Sequence, residues 1–275
     1  MNDPLTVLFH PSPPTSHSVA EQVCRHLGYP VVCGSVKDPA DVGFYWDIRT
    51  WRAPSTELLD LANTIPVLNV RCVDFSKHRV DRVFEDVAGR SLRIDPLTIS
   101  GRFVVKANAN AAHDGVVHDG PLTVVSPQCV YQALINNQVD AATVVDLRTP
   151  VYGGVVPIVY RLYRPLTSRF AIDDTAAEIA EPSAAFTEAE LDLLRRFTEA
   201  IGMDCGELDV LRDHDTGLIW VVDANPTPWG PPRRLTRTDA AIAIERLART
   251  FARLVTDRIA RLPGARPVAA SRRLP

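Results

Sequence analysis

Lysine is almost missing from this chain. Its Lys and Arg residues number 30, and only Lys37, Lys77 and Lys106 are lysine. Arginine is a planar fork, whereas lysine is a compact point charge suited to phosphate. The bias predicts that lysine is kept where a compact ammonium is needed. Lys37 lies in a polar Val-Lys-Asp-Pro turn and reads as solvated, which leaves Lys77 and Lys106. Cysteine is sparse as well. The five residues at 24, 33, 72, 129 and 205 are scattered, with no Cys-x-x-Cys. That argues against a disulfide framework or a thiolate zinc site and fits reduced thiols in a cytoplasmic protein. No apolar run approaches the roughly 20 residues of a membrane helix. The short apolar run near the start has no basic region ahead of it, which speaks against a signal peptide. The net charge is only −3, so no global pull toward nucleic acid or membrane is expected. There is no Gly-x-Ser-x-Gly or paired Cys/His motif, hence no evident protein nucleophile.

What is present is an ordinary globular composition. The 275 residues are 46% apolar and 23% charged, enough for one large domain or two to three small ones. Near the end, residues 206–229 read as two strands joined by Asp213-His214-Asp215-Thr216-Gly217. Alternation puts Asp209 on one face of the first strand and Leu208 and Val210 on the other. On the returning strand it groups Ile219, Val221, Asp223 and Asn225. If those faces meet, two carboxylates and an amide oxygen converge. Oxygen ligands of that kind suit Mg²⁺, which binds through one or two carboxylates plus nucleotide phosphates. The alternative is a surface hairpin whose polar residues face water.

Ahead of it, strands predicted at 5–9, 31–35, 41–47 and 65–70 alternate with helices from Ser18 to Gly28 and over 55–63. That spacing argues for a small parallel α/β unit. A helix is expected over 74–89 and a strand over 101–108, with Lys106 at its exit. A loop of small residues follows over 108–120. Residues 142–165 read as a hairpin around Tyr152-Gly153-Gly154, and 166–185 as irregular. A capping box, Thr187-x-x-Glu190, opens a helix that runs to Gly202. A last helix spans 238–260, and the tail 263–275 reads as disordered.

The order of these parts resembles the ATP-grasp superfamily over roughly 65–262. The resemblance implies that Lys77 and Lys106 hold nucleotide phosphates beneath the small-residue loop. It implies that Gln132, Ala133, Leu134 and Ile135 form the hinge against adenine. It matches the metal ligands to Asp209, Asp223 and Asn225, and an Asp-x-Arg strand to Asp146-Leu147-Arg148. The implied fold class is α/β (α+β): an N-terminal unit over 1–72, a lysine and phosphate-loop subdomain over 73–131, and a metal-binding subdomain over 132–262. The implied cofactors are ATP and Mg²⁺, with Mn²⁺ as the alternative ion.

The departures are specific. Asp223 stands where glutamate is usual, Ala107 where proline is common, and His113 and Asp114 lie inside the phosphate loop. Asn136 and Asn137 follow the hinge, leaving Asp140 as the acid for the ribose. Arg148 and Arg161 are the candidate catalytic residues, with Arg161 preferred over Arg164. Glu207 shares the face of Asp209 and is a candidate to orient a ligand. Trp229 is expected beneath the metal site. The segment from Trp46 to Trp51 reads equally as acceptor pocket or core. The implied activity is ATP-dependent joining of a small-molecule carboxylate to an amine, or a thiol, through an acyl-phosphate. A small-molecule kinase and a non-catalytic nucleotide-binding module are the alternatives. The resemblance also implies pairing of two copies through the N-terminal unit.

Overall fold

The computed structural model describes residues 4–262, so the tail expectation falls outside the described residues. The first unit is a parallel four-stranded sheet in the order β2-β1-β3-β4, formed by β1 (Val7–Pro11), β2 (Val31–Cys33), β3 (Val42–Trp46) and β4 (Val67–Leu68). Helices α1 (Val19–Leu27) and α2 (Thr56–Leu61) connect them. Ser18 caps α1 by accepting from the Glu21 N–H, and Gly28 ends it at φ 67°. β3 is buried along its whole length, as an inner parallel strand covered on both faces must be.

The second unit begins with α3 (Lys77–Ala88) and carries a three-stranded antiparallel sheet in the order β6-β5-β7. These strands are β5 (Gly101–Ala107), β6 (Val116–Gly120) and β7 (Cys129–Ala133). β6 corrects the expectation of a loop through 120. Its Val-Val-His-Asp-Gly sequence carries too little alternation to announce a strand, yet it pairs with β5.

The third unit is a five-stranded antiparallel sheet in the order β10-β9-β8-β11-β12. It contains β8 (Thr143–Tyr152), β9 (Val159–Pro165), β10 (Ala176–Ala180), β11 (Cys205–Arg212) and β12 (Ile219–Asn225). Helices α4 (Pro182–Ala185), α5 (Glu188–Ile201) and α6 (Arg237–Ala260) accompany it. β10 lies in the segment expected to be irregular. Its Ala-Ala-Glu-Ile-Ala run has little strand propensity, and pairing with β9 at the sheet edge makes it a strand. The capping box of α5 is present, with Gly202 at its end.

One face of this sheet packs on α3 and α5, burying Phe75, Phe84, Leu194, Phe197, Leu208 and Val210 together. Part of the other face shares a core with α6 and the first unit, where Phe9, Phe44 and Trp46 meet Tyr160, Leu162 and Phe251. Asn69 fastens the same junction. It is fully buried, with φ 58°. Its side-chain N–H groups donate to the Cys205 and Pro226 carbonyls at 2.7 and 3.3 Å, and its Oδ1 accepts from the Asp204 and Cys205 N–H groups at 2.8 and 3.0 Å. Among the described residues no helix is long and apolar enough to cross a membrane.

Candidate functional site

The remainder of that second sheet face is the floor of a cleft of about 970 Å³. The β11–β12 hairpin supplies its oxygens, and a bulge decides how. Asp209 pairs with Asp223, but the next pair is Val210 with Val221, so Val222 is extra. Strict alternation would have kept Val221 and Asp223 on one face. Instead Ile219, Val221 and Ala224 enter the helix-side core, while Asp223 and Asn225 line the cleft with Asp209. This corrects the grouping expected from the sequence. An extra residue that re-aims side chains is a common device beside functional sites. The Thr227 N–H and hydroxyl donate to Asn225 Oδ1 at 3.0 and 3.3 Å, which orients the amide.

Cations meet these acids. Arg148 Nε lies 3.2 Å from Asp209 Oδ1, and Lys77 Nζ lies 3.7 Å from Asp223 Oδ2. Lys77 also donates to the Ala109 carbonyl at 2.5 Å, tying the start of α3 to the small-residue loop. That loop is held further by Asn108, whose Oδ1 accepts from the His78 N–H at 2.9 Å. The Asn110 N–H donates to Thr50 Oγ1 of the first unit at 3.0 Å. Ala111 and His113 both adopt positive φ, 54° and 49°. Small residues in such a turn leave backbone N–H groups accessible to an anion.

Electrostatics follow from crowding and burial. Burial pushes the Lys106 ammonium down, with Asp223 opposing and Lys77 adding to the effect. Burial pushes the Asp223 carboxyl up to about 6 against the pull of Lys77. The same cause lifts Asp146, against Arg164, and takes Glu207 up to about 8, against Arg148.

The hinge residues lie at the end of β7. The Gln132 side chain turns away to donate to Asp81 Oδ1 at 2.8 Å, and both residues are buried. Ile135 and Ala133 pack with Leu92, Val222, Leu211 and Trp220 as an apolar wall. The Ala133 N–H and Ile135 carbonyl already bond Leu92 and Arg169.

Three solved structures resemble the chain over most of its length. The chain matches ATP-grasp ligase PsnB complexed with precursor peptide PsnA2 and AMPPNP at TM-score 0.59 and 15% identity, covering 92% of this chain and 99% of that one. PsnB with minimal precursor, Mg and ADP gives 0.59 and 14%, covering 91% and 98%. D-alanine–D-alanine ligase from Bacillus anthracis complexed with ATP gives 0.54 and 13%, covering 93% and 99%.

This is the ATP-grasp fold. No family model and no curated protein sequence matches the chain.

The structure brings Lys77, Arg148, Asp209, Asp223 and Asn225 together, puts Lys106 within electrostatic reach of Asp223 and Lys77, and leaves others apart. Arg161 is a correction. It stands opposite Leu147 on the helix-side face, and its guanidinium pairs with Glu178 at 3.2 Å and the Ala184 carbonyl at 3.1 Å. Arg164, one parity away, is the buried arginine. It pairs with Asp146 and with Asp174 at 2.7 Å. Asp140 is exposed and caps the turn before β8, its Oδ1 accepting from the Ala142 and Thr143 N–H groups at 2.8 Å each. It does not line the cleft. Trp229 is another correction. It is 62% exposed beside the cleft, not packed beneath the acids. Trp46 is core and Trp51 is exposed. Sequence reasoning passed over Asp81, although its position one helical turn after Lys77 was available as a signal.

The donor set fits a hard divalent ion. It is all oxygen, with two carboxylates and an oriented amide, matching what Mg²⁺ takes from protein. Among the described residues there is no cluster of three His, Cys, Asp or Glu side chains placed to hold a metal.

Proposed function

We propose that the chain is an ATP- and Mg²⁺-dependent ligase that joins a carboxylate to an amine through an acyl-phosphate, releasing ADP and phosphate. The observation that carries this is the floor of the cleft. Two carboxylates and an amide oxygen face it, Lys77 and Arg148 lie against the carboxylates, and Lys106 sits nearby in a half-buried position. The known ligases that share the fold, and are solved with ATP or with Mg and ADP, support the same reading.

In this reading Lys77 and Lys106 hold the phosphates, and Arg148 turns from Asp209 toward the transferred group. Asp209, Asp223 and Asn225 hold Mg²⁺, or Mn²⁺ in its place, which neutralises phosphate charge when bound. A substrate carboxylate attacks the γ-phosphorus and ADP leaves. The amine then adds to the acyl carbon and phosphate departs. No side chain forms a covalent bond, so catalysis is positioning plus charge neutralisation, in which a single preorganised group is worth about 10²–10³ in rate. The loop at 108–115 shields the reacting phosphate.

The test supplies ATP, Mg²⁺, a panel of small carboxylates and hydroxylamine, and measures ADP and hydroxamate. Both are expected from the wild type and neither from Asp223→Ala. Wild-type turnover in Asp223→Ala removes the metal assignment. A phosphorylated product stable to hydroxylamine replaces the ligase with a kinase.

A further inference from the structure

Glu207 lines the cleft beside Asp209 and has no role in that scheme. It sits two residues before Asp209 on the same face of β11, so roughly 7 Å separates them along the strand. It is 6% exposed and lines the cleft. Its neighbours leave it unsatisfied. Arg148 Nε is 4.0 Å from Glu207 Oε2 but 3.2 Å from Asp209, so the arginine is committed elsewhere. Across the sheet it faces Pro150, which has no donor to offer, and Asn225, whose amide N–H groups make no hydrogen bond to the orphan oxygen. Among the described residues Glu207 Oε1 has no hydrogen-bond partner, and neither has the nearby Tyr160 hydroxyl.

A carboxylate withdrawn from water with an orphan oxygen is costly unless a donor or a cation completes it. The fold nevertheless holds it firmly in place. A Cβ at Gly206 would lie 2.5 Å from Met203 Sδ and 2.6 Å from the Asn225 carbonyl, so the backbone at the start of β11 is tightly packed. Away from this floor, the mouth of the cleft carries Arg233, Arg234 and Arg237. The fixed unsatisfied acid is therefore inside and the basic rim outside.

We propose that Glu207 anchors a cation subsite in the acceptor half of the cleft, and that the acceptor substrate docks there through a cationic nitrogen, an ammonium or a guanidinium. This rests on the ligase reading, with the docked nitrogen staying protonated and a separate, uncharged amine making the attack. The contact serves to position the acceptor beside the acids of the cleft floor.

Butylammonium and 1-butanol, alike in length and unlike in charge, serve as probes. Each is tested as an inhibitor of wild-type hydroxamate formation with ATP, Mg²⁺, the carboxylate panel and uncharged hydroxylamine. Butylammonium is expected to inhibit at about tenfold lower concentration than butanol, the factor that roughly 1.4 kcal/mol provides. Glu207→Gln is expected to erase that preference, and Glu207→Asp, which keeps the charge, to retain it. The preference is a ratio within each protein, so a slower variant still reports it. Equal inhibition by the two probes in the wild type overturns the subsite and leaves the ligase reading standing. So does a preference that survives Glu207→Gln, or one lost in Glu207→Asp. Hydroxamate from no carboxylate overturns both.

Discussion

Replacing Asp223 by Asn should make the empty protein more stable while abolishing its turnover. In the folded chain, burial lifts the Asp223 carboxyl from its ordinary 3.8 to about 6, with the Lys77 ammonium opposing. At 1.36 kcal/mol per unit, a displacement of about two units is roughly 3 kcal/mol. The sign follows from linkage. An acid whose pKa is raised by folding binds its proton more tightly in the folded state. The penalty is therefore absent well below the unfolded value, grows as pH rises from about 4 to 6, and is complete above about 6. At pH 5 roughly half of it is present. Asparagine keeps the Oδ1 that accepts from the Ala224 N–H at 3.0 Å, and Lys77 keeps the Ala109 carbonyl. Only the buried charge is removed. At about 2–4 °C per kcal/mol for a chain near this size, the ceiling is a rise of about 6–12 °C at pH 8, falling to about half at pH 5. Thermal unfolding without nucleotide or metal at the two pH values measures it, beside ADP release with substrates. A variant no more stable than the wild type at pH 8, or with a gain that does not shrink at pH 5, refutes the reasoning: Asp223 would then not be an acid held against its preference for water.

Three other outcomes are expected. Lys106→Met should weaken Mg²⁺·ATP binding about tenfold or more by isothermal titration, the scale of losing a charged hydrogen bond; an unchanged affinity would remove Lys106 from the phosphates. Thr187→Ala loses the α5 cap, in which Oγ1 accepts from the Glu190 N–H at 3.3 Å; it should cost about 1 kcal/mol in urea unfolding with turnover retained. Gly202→Ala should cost more, about 2 kcal/mol in the same measurement, because φ is 78° and a Cβ would lie 2.9 Å from the Arg71 carbonyl group, backbone that cannot swing aside.

The rarity of lysine led to Lys77 and Lys106 because it is a property of composition that no tertiary contact alters. The longer helices were legible for a local reason, whereas the single turn of α4 fell in a segment expected to be irregular. Ser18, Ser76, Thr187 and Thr236 each accept from the N–H three residues on, and a cap is written in adjacent residues. The parallel unit was legible from continuous apolar strands. The bulge in β12 was not, because nothing in Ile-Trp-Val-Val-Asp-Ala-Asn marks which valine is extra; it depends on pairing with β11. β10 was hidden because its alanines favour no strand, and only the free edge of β9 makes it one. The choice of Arg161 over Arg164 failed on parity. Counting from Arg148 through the β8–β9 register was the only route to it, and the register depends on the length of the intervening turn. Glu207 was visible as a face-mate of Asp209, but its orphan oxygen depends on which neighbour Arg148 prefers. That is a matter of under an ångström.

Asn69 has a consequence for how this architecture can vary. Its amide fills four hydrogen-bonding places at once, on Asp204, Cys205 and Pro226. Those residues lie at the start of β11 and just past the end of β12, the strands that carry Asp209 and Asp223. The first unit is thus not an exchangeable cassette. Transplanting it from a relative that lacks this amide would strand peptide groups of the β11–β12 hairpin without partners, so any swap of the unit must carry the residues at 69, 204–205 and 226 as one set.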